Sequence, residues 1–223
     1  MSNTFKFDLR LVDISFELYA IEEHFELAEN EIEKLSKKEK EIAEKILTDE
    51  KIEFNSPDWY DVVNQSEQKI HTLIPRFFRN PFLVSLYSIY ESGVTEIADK
   101  IREKKGIDLL LNDINGPFLD KAKKYYSSIL DFNLSINESN WNKIKVLSEI
   151  RHAIAHTNGR IDLLRPNAQK KIRKYAEGEF KMNFDAGFLI AEKETSEKLK
   201  NAVVDSLKAL VQRYKNWDSN HSV

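Results

Sequence analysis

Apolar residues recur at three- and four-residue steps along most of the chain, which is the spacing of one face of an α-helix. Within residues 8–34 these positions form a single stripe: Leu11, Ile14, Leu18, Ile21, Phe25, Ala28 and Ile32. Ser36 and Glu39 have the spacing of a capping box, which predicts that a second helix starts there and runs to about residue 50.

Two dipeptides ending in proline predict the next helix starts, because proline is favoured at the first helical position after a capping residue. Ser56-Pro57 predicts a helix over about 57–72, and Asn80-Pro81 predicts one over about 81–105 that Gly106 ends. The second is the most apolar helix of the chain and is assigned to the core. So are the aromatic residues near its start, which we assign to packing rather than to base stacking: Phe77, Phe78, Phe82, Tyr87 and Tyr90.

The rest of the chain predicts further helices over about 117–131, 139–157, 166–176 and 195–216. Ser139 is the predicted cap of the second of these, and Gly159 its end. Alternating segments on either side of Asp185-Ala186-Gly187 predict a small hairpin. The expected fold is therefore all-α, a single domain over 1–223 with extra N-terminal helices and a small C-terminal β-hairpin.

Composition narrows the class of protein. The 223 residues are 41% hydrophobic and 32% charged, enough for a core beneath a well-solvated surface. No cysteine is present, which excludes a disulfide scaffold, a thiolate zinc site and a cysteine nucleophile. The N-terminus lacks the pattern of a signal peptide, and no apolar run approaches the ~20 residues that span a bilayer. We therefore expect a soluble, cytoplasmic protein that does not enter membranes.

Charge is distributed unevenly along the chain. Residues 1–50 hold fourteen Asp and Glu against seven Lys and Arg, whereas residues 143–174 hold nine Lys and Arg against two Asp and Glu. A polyanion would be attracted to the second region and repelled by the first. The simpler interpretation, that such charges only solvate helix faces, remains open.

The segment WNKIKVLSEIRHAIAHTNGR (141–160) combines an apolar face with ionisable residues. At 100° per residue, four apolar side chains share one face and are predicted to pack inward: Ile144, Leu147, Ile150 and Ile154. Arg151 and His156 lie on the other side, about 140° apart. One helix cannot easily close both around a single phosphate, whereas two facing copies can. Ser148 and Ala155 are small enough to let a second helix approach, so we expect a homodimer with a composite site.

These residue types suit RNA cleavage without a metal. A guanidinium offers paired donors to phosphate oxygens, and an imidazole can take or give a proton near neutral pH. His156 is the predicted acid/base residue, Arg151 the phosphate anchor and His152 a second proton-transfer or positioning group. The predicted substrate-binding residues are Ser148, Asn158, Arg160, Lys170, Lys171, Arg173 and Lys174.

The stretch SEIRHAIAHTNGRI resembles the signature helix of HEPN domains, in which an Arg and a polar residue are followed by small or apolar residues and then His. The resemblance covers about 80–162. NPFLVSLYSIYESGVTEIADKI is similar to the long core helix of that superfamily, and GPFLDKAKKYY to its third helix in the branch where HxNG follows the motif. The first ~75 residues, an N-terminal helical extension, carry no usable resemblance.

The resemblance implies an antiparallel helical bundle, dimerisation through the motif helices and frequent endoribonuclease activity in toxin or phage-defence systems. It makes Arg151 and His156 the catalytic pair. His152 occupies a position that is often Asn in relatives, which leaves its role open. The antitoxin-paired branch has Tyr two residues after the His, and Asn158 stands there instead.

The expectation is thus a metal-independent endoribonuclease without a cofactor, with RNA, a second copy and an antitoxin or defence partner as its partners. The alternative is a catalytically inactive module that dimerises or binds RNA or a partner protein, with Arg151 a structural partner of a carboxylate such as Glu91. A helical metal site on His152 and His156 is disfavoured, since the zincin pattern needs Glu where Ala153 stands.

Overall fold

The computed structural model describes residues 9–134 and 137–221, apart from the side chains of residues 9 and 10. Its helices are α1 (Leu9–Asp49), α2 (Pro57–Gln68), α3 (Ile74–Lys105), α4 (Phe118–Lys124), α5 (Glu138–Thr157), α6 (Pro166–Glu177) and α7 (Lys193–His221). Two strands, β1 (Met182–Asp185) and β2 (Phe188–Ala191), pair antiparallel. The all-α class with a small C-terminal hairpin is confirmed. Among the residues that the structure describes, no helix is both long and apolar enough to cross a membrane.

Contacts divide the chain into two compact units. Unit 1 contains the described residues up to Glu22, residues 85–148 and residues from Lys198 onward, and unit 2 contains residues 23–84 and 149–197. Four helices, α1, α3, α5 and α7, contribute residues to both units. No linker marks the division in the sequence, because these helices themselves carry the chain from one unit to the other.

The predicted helix break at Ser36 is wrong, because α1 is continuous from Leu9 to Asp49. A capping box starts a new helix only where the chain before it has left helical geometry, and no Gly or Pro lies near Ser36 to interrupt the helix. The predicted apolar stripe of this helix is confirmed, since all seven of its members are buried. The predicted start at residue 8 lies outside the described residues.

The predicted helix start at Asn80-Pro81 is also wrong. Helix α2 continues through a π-helical turn (Lys69–Leu73) directly into α3, so that Pro81 lies inside a helix. The interior proline costs one backbone hydrogen bond, and its ring is exposed. The Asn80 side chain is buried instead of capping a helix, and Gly106 ends α3 as predicted.

Unit 1 has an apolar core built on the second part of α3. Its residues Leu86, Val94, Ile97 and Ile101 are fully buried, and Gly93 leaves room for Leu207 of α7. The Tyr126 hydroxyl donates a 2.6 Å hydrogen bond to the Val94 carbonyl. Helix α5 begins where the Asn137 side chain accepts a hydrogen bond from the Asn140 amide, so Asn137 caps it rather than Ser139.

Unit 2 is organised around the hairpin and the first turns of α3. The two-residue turn Ala186-Gly187 has positive φ at both positions, as a tight hairpin requires. Arg79 donates two hydrogen bonds to the buried carboxylate of Glu29, at 2.7 and 2.8 Å, and a third to the Ala191 carbonyl at 3.1 Å. This bidentate pair ties α1, α3 and β2 together.

Candidate functional site

The motif RHAIAH occupies the last turns of α5, within unit 2. Ile150 and Ala153 are buried, whereas Ile154 is only half-buried, so the predicted inward face is wrong at its last position. Arg151 is half-buried with its Nε atom enclosed. His152, Ala155 and His156 are exposed. Ala153 therefore takes the inward position, and both imidazoles remain open to a ligand.

The two histidines lie against each other on this open face. Their ring centroids are 4.4 Å apart and the rings are tilted by 50°. The spacing follows from the helix, because side chains four residues apart stand one above the other. Two groups able to accept or donate a proton are thus close enough to act on one phosphodiester.

The end of the motif helix is unusual. Asn158 and Gly159 both have left-handed backbone conformations, with φ of 53° and 78°. The Gly159 amide donates to the Ala153 carbonyl at 3.1 Å, and the Gly159 carbonyl accepts from the Leu189 amide of β2 at 2.8 Å. The chain leaving the motif is therefore attached to the hairpin, with Asn158 exposed at the turn.

Asn80 lies beside this turn. A Cβ atom at Gly159 would be 3.1 Å from the Asn80 Nδ2 atom, so only glycine allows the approach without a shift. The Asn80 side chain is 4% exposed, and neither its Nδ2 nor its Oδ1 atom has a hydrogen-bond partner among the described residues. Buried amides are almost always hydrogen-bonded, which makes this residue a candidate that the capping interpretation of the sequence missed.

Arg160 follows the turn and is paired locally. Its guanidinium donates to both carboxylate oxygens of Asp162, at 2.8 and 2.6 Å. This hydrogen bond lowers the pKa of Asp162 and raises the pKa of Arg160. Both groups are exposed, so the pair contributes little to stability. The Arg160 guanidinium carbon also lies 5.2 Å from the ring centroid of Phe188 in β2.

The four predicted substrate-binding cations of the basic helix α6 differ in their contacts. Lys171 donates to Glu149 at 2.5 Å, and this hydrogen bond raises the pKa of Lys171. Arg173 lies 5.0 Å from the ring centroid of Phe184. Lys170 and Lys174 are exposed and make no ion pair with any residue that the structure describes. The helix therefore offers at least two cations without a competing carboxylate.

Ser148, the remaining predicted contact residue, belongs to unit 1. Its hydroxyl donates a 3.1 Å hydrogen bond to the hydroxyl of the buried Tyr87. Unit 1 also contains an open cavity of about 670 Å³ whose lining includes Lys123, Trp141 and Lys145. None of the predicted site residues lines that cavity.

Two neighbouring residues on α3 were not predicted as site residues. Arg76 is 8% exposed, and its guanidinium carbon lies 3.9 Å from the ring centroid of Phe188 and 5.0 Å from that of Phe77.

Phe77 is 63% exposed, so its assignment to the core is wrong, and Phe78 is only half-buried. Phe82, Tyr87 and Tyr90 are buried as predicted. The sequence signal that could have pointed to Arg76 is its four-residue spacing from Asn80, which puts both residues on the helix face that meets the hairpin.

Among residues 9–134 and 137–221, no group of three or more His, Asp or Glu side chains is arranged to hold a metal ion. Comparison with protein-family models, with curated proteins and with solved structures returns no match. The geometry of the motif and its surroundings is therefore the basis for a functional proposal.

Proposed function

We propose that the chain is a HEPN-type endoribonuclease that cleaves RNA by transfer to the 2′-hydroxyl. The observation that carries the proposal is the exposed pair His152 and His156, 4.4 Å apart in the same motif as Arg151. Imidazole is the side chain that both accepts and donates protons near neutral pH. A guanidinium stabilises the charge that builds up on a phosphate in the transition state.

In the proposed reaction, one imidazole removes the proton of the 2′-hydroxyl, and the resulting oxygen attacks the adjacent phosphorus. The bond from phosphorus to the 5′-oxygen breaks, and that oxygen takes a proton from the other imidazole. The products are a 2′,3′-cyclic phosphate and a 5′-hydroxyl. His156 is the principal acid/base residue, His152 the second one, and Arg151 holds the phosphate. In this proposal Asn158 and the cations of α6 bind the strand.

The test is a cleavage assay on purified protein in EDTA, with wild type beside His156→Ala, His152→Ala and Arg151→Ala. We expect His156→Ala and Arg151→Ala each to lower the rate by about 10²-fold or more, since the first removes a proton-transfer group and the second removes the charge that stabilises the phosphate in the transition state. His24→Ala is the matched control, because His24 is an exposed histidine of unit 2 outside the motif. Full activity in His156→Ala, or loss of wild-type activity with EDTA, contradicts the proposal.

The proposed enzyme is a homodimer in which the exposed Ala155 side chains of two motif helices meet. The splay of Arg151 and His156 on one helix is the reason, since two copies can close around one phosphate where one cannot. Ala155→Arg is expected to give a monomer by light scattering and to abolish cleavage, whereas Ala20→Arg, on an exposed face of α1, leaves both unchanged. A wild-type monomer that cleaves RNA contradicts the dimer. A dimer that binds RNA without cleaving it supports the inactive binding module instead.

A further inference from the structure

Arg76 is a nearly buried cation without an acceptor. It makes no hydrogen bond or ion pair with any residue that the structure describes, and its contacts are the rings of Phe188 and Phe77. Its neighbours on the same helix face differ, since Thr72 donates to Asp185 at 2.8 Å and Arg79 is held by Glu29. Removing a charge from water without a counter-ion is costly, so this cation is one that an oxyanion would stabilise.

The guanidinium of Arg76 is nevertheless open at its edge. None of its side-chain nitrogens is among the fully enclosed polar atoms, although the residue as a whole is 8% exposed. Arg160 lies on the same Phe188 ring, which puts the two guanidinium carbons within about 9 Å of each other. Two guanidinium groups therefore lie on one ring at the surface of unit 2, where a phosphate can reach them. Arg160 donates to Asp162 through Nε and Nη2, and its Nη1 atom is the donor left for a phosphate.

Phe77 supplies the second chemical feature of a single-strand binding surface. Its ring is 63% exposed beside the Arg76 guanidinium, and proteins that bind single strands combine cations for the backbone with exposed rings on which bases stack. The other strongly exposed phenylalanine of unit 2, Phe54, lies in an acidic stretch of the sequence, since residues 49–61 hold five Asp and Glu against one Lys. Of these two exposed rings, only Phe77 lies beside a cation that makes no ion pair with the residues that the structure describes.

We propose that Arg76, Phe77 and Arg160 form a binding element for single-stranded RNA, in which Phe77 stacks on a base and the two arginines hold a backbone phosphate. This inference rests on the proposed function in taking RNA as the ligand. Arg160 is four residues beyond His156, so the element binds the same strand within a few nucleotides of the cleaved bond. Its role is to bind and position the strand, not to react.

The experiment measures binding of a fluorescent 2′-O-methyl RNA oligonucleotide, which the proposed reaction cannot cleave, by anisotropy at several salt concentrations. Arg76→Gln and Phe77→Ala are each expected to weaken binding about tenfold. Arg76→Gln also lowers the slope of log affinity against log salt by about 0.7, the loss of one phosphate contact, whereas Phe77→Ala leaves the slope unchanged. Arg165→Gln, another exposed cation of the basic segment, and Phe54→Ala are the matched controls and change affinity less than about twofold.

Equal weakening by Arg76→Gln and Arg165→Gln would overturn the inference, because any cation would then serve equally. Wild-type affinity in Phe77→Ala, or no binding by the wild type, would also overturn it. Arg160→Gln decides the matter if Arg76→Gln does not fold, since Arg160 is exposed and its loss is expected to weaken binding. If the wild type binds RNA through Arg76 and Phe77 but does not cleave it, the ribonuclease proposal is rejected and the binding element stands. If the wild type cleaves RNA but the Arg76 and Phe77 variants bind it as well as the wild type does, the binding element is rejected and the ribonuclease proposal stands.

Discussion

Two long helices of the molecule end at a glycine with positive φ, and the two ends are held in different ways. At Gly106 the Ile107 amide donates to the Arg102 carbonyl and the Gly106 amide to the Glu103 carbonyl, the standard local closure of a helix. No atom lies within 4 Å of a Cβ built at Gly106. The turn at this end of α3, in unit 1, is closed by backbone hydrogen bonds between residues close together in the chain. Its contacts with other elements come from side chains, since Lys105 donates to the Leu130 carbonyl and Lys104 pairs with Asp218.

At Gly159, in unit 2, the end of α5 depends on other elements. A second left-handed residue, Asn158, precedes the glycine. The Gly159 amide donates to the Ala153 carbonyl, six residues earlier, rather than to a nearer carbonyl. Asn80 of α3 and Leu189 of β2 both contact the turn. The comparison shows that the helix end carrying the histidine pair is positioned by tertiary contacts, so changes at those contacts are expected to alter the site.

The largest expected difference between the two ends is in stability. Gly106→Ala is expected to lower the free energy of unfolding by about 1 kcal/mol, the cost of a left-handed alanine. Gly159→Ala carries the same cost and also brings its Cβ to 3.1 Å from Asn80 Nδ2, so we expect a loss of about 2–3 kcal/mol. Urea unfolding of both variants measures the difference.

Cleavage assays on the two glycine variants extend this comparison to the site. Gly159→Ala is expected to slow RNA cleavage under conditions where it remains folded, and Gly106→Ala to cleave at the wild-type rate. Equal losses of stability at the two glycines would show that the Asn80 side chain moves aside without cost. The turn at the end of α5 would then need its tertiary contacts no more than the turn at the end of α3 does.

A smaller effect is expected at Asn80, a contact that the Gly106 end lacks. Its two amide atoms are buried without partners among the described residues, so Asn80→Leu removes a desolvated polar group and keeps the branched shape of the side chain. We expect the free energy of unfolding to stay the same or to rise by about 1 kcal/mol. Asn80→Ala, the control, leaves a cavity and is expected to lower it.

Loss of more than about 1 kcal/mol in Asn80→Leu would mean that the amide has a stabilising partner, such as an ordered water. If Asn80→Leu keeps its stability but cleaves RNA more slowly, the amide acts on the motif turn rather than on the fold. The two measurements together therefore separate a packing role from a positioning role.

The parts of the fold that periodicity could predict are those that depend on local chemistry. The stripe of α1, the hairpin around Ala186-Gly187 and the end of α3 at Gly106 all follow from spacing or turn residues. The predicted breaks at Ser36 and Asn80 were wrong because each signal permits a helix start without requiring one. Tertiary packing decided both, burying Asn80 and keeping α1 continuous.

The candidate site divides in the same way. Helical spacing alone brings His152 and His156 together, with their ring centroids 4.4 Å apart. The residues around them could not be predicted from the motif, since Asn80 and Phe188 reach the turn that follows it from about 80 and 30 positions away in the chain. Phe77 was assigned to the core because an aromatic residue near an apolar helix is usually buried, and here it is not.

The smallest expected effect on stability concerns Asn158, for which two roles are considered: adopting the left-handed turn and binding RNA. Its φ of 53° lies in the left-handed region, which asparagine tolerates better than most residues, and its exposed amide is also placed to bind RNA. Asn158→Gly keeps the backbone conformation and removes the side chain. We expect the free energy of unfolding to change by less than about 0.5 kcal/mol, because the relief of strain offsets the greater freedom of the unfolded chain.

Asn158→Ala is the matched control, since it also removes the amide but strains the backbone, and it is expected to cost about 1 kcal/mol. Cleavage of RNA then separates the two roles. If both variants cleave slowly while only the alanine variant is less stable, the amide binds the substrate. If the glycine variant cleaves at the wild-type rate, Asn158 serves the turn alone, because the left-handed conformation is then all that the site requires of this position.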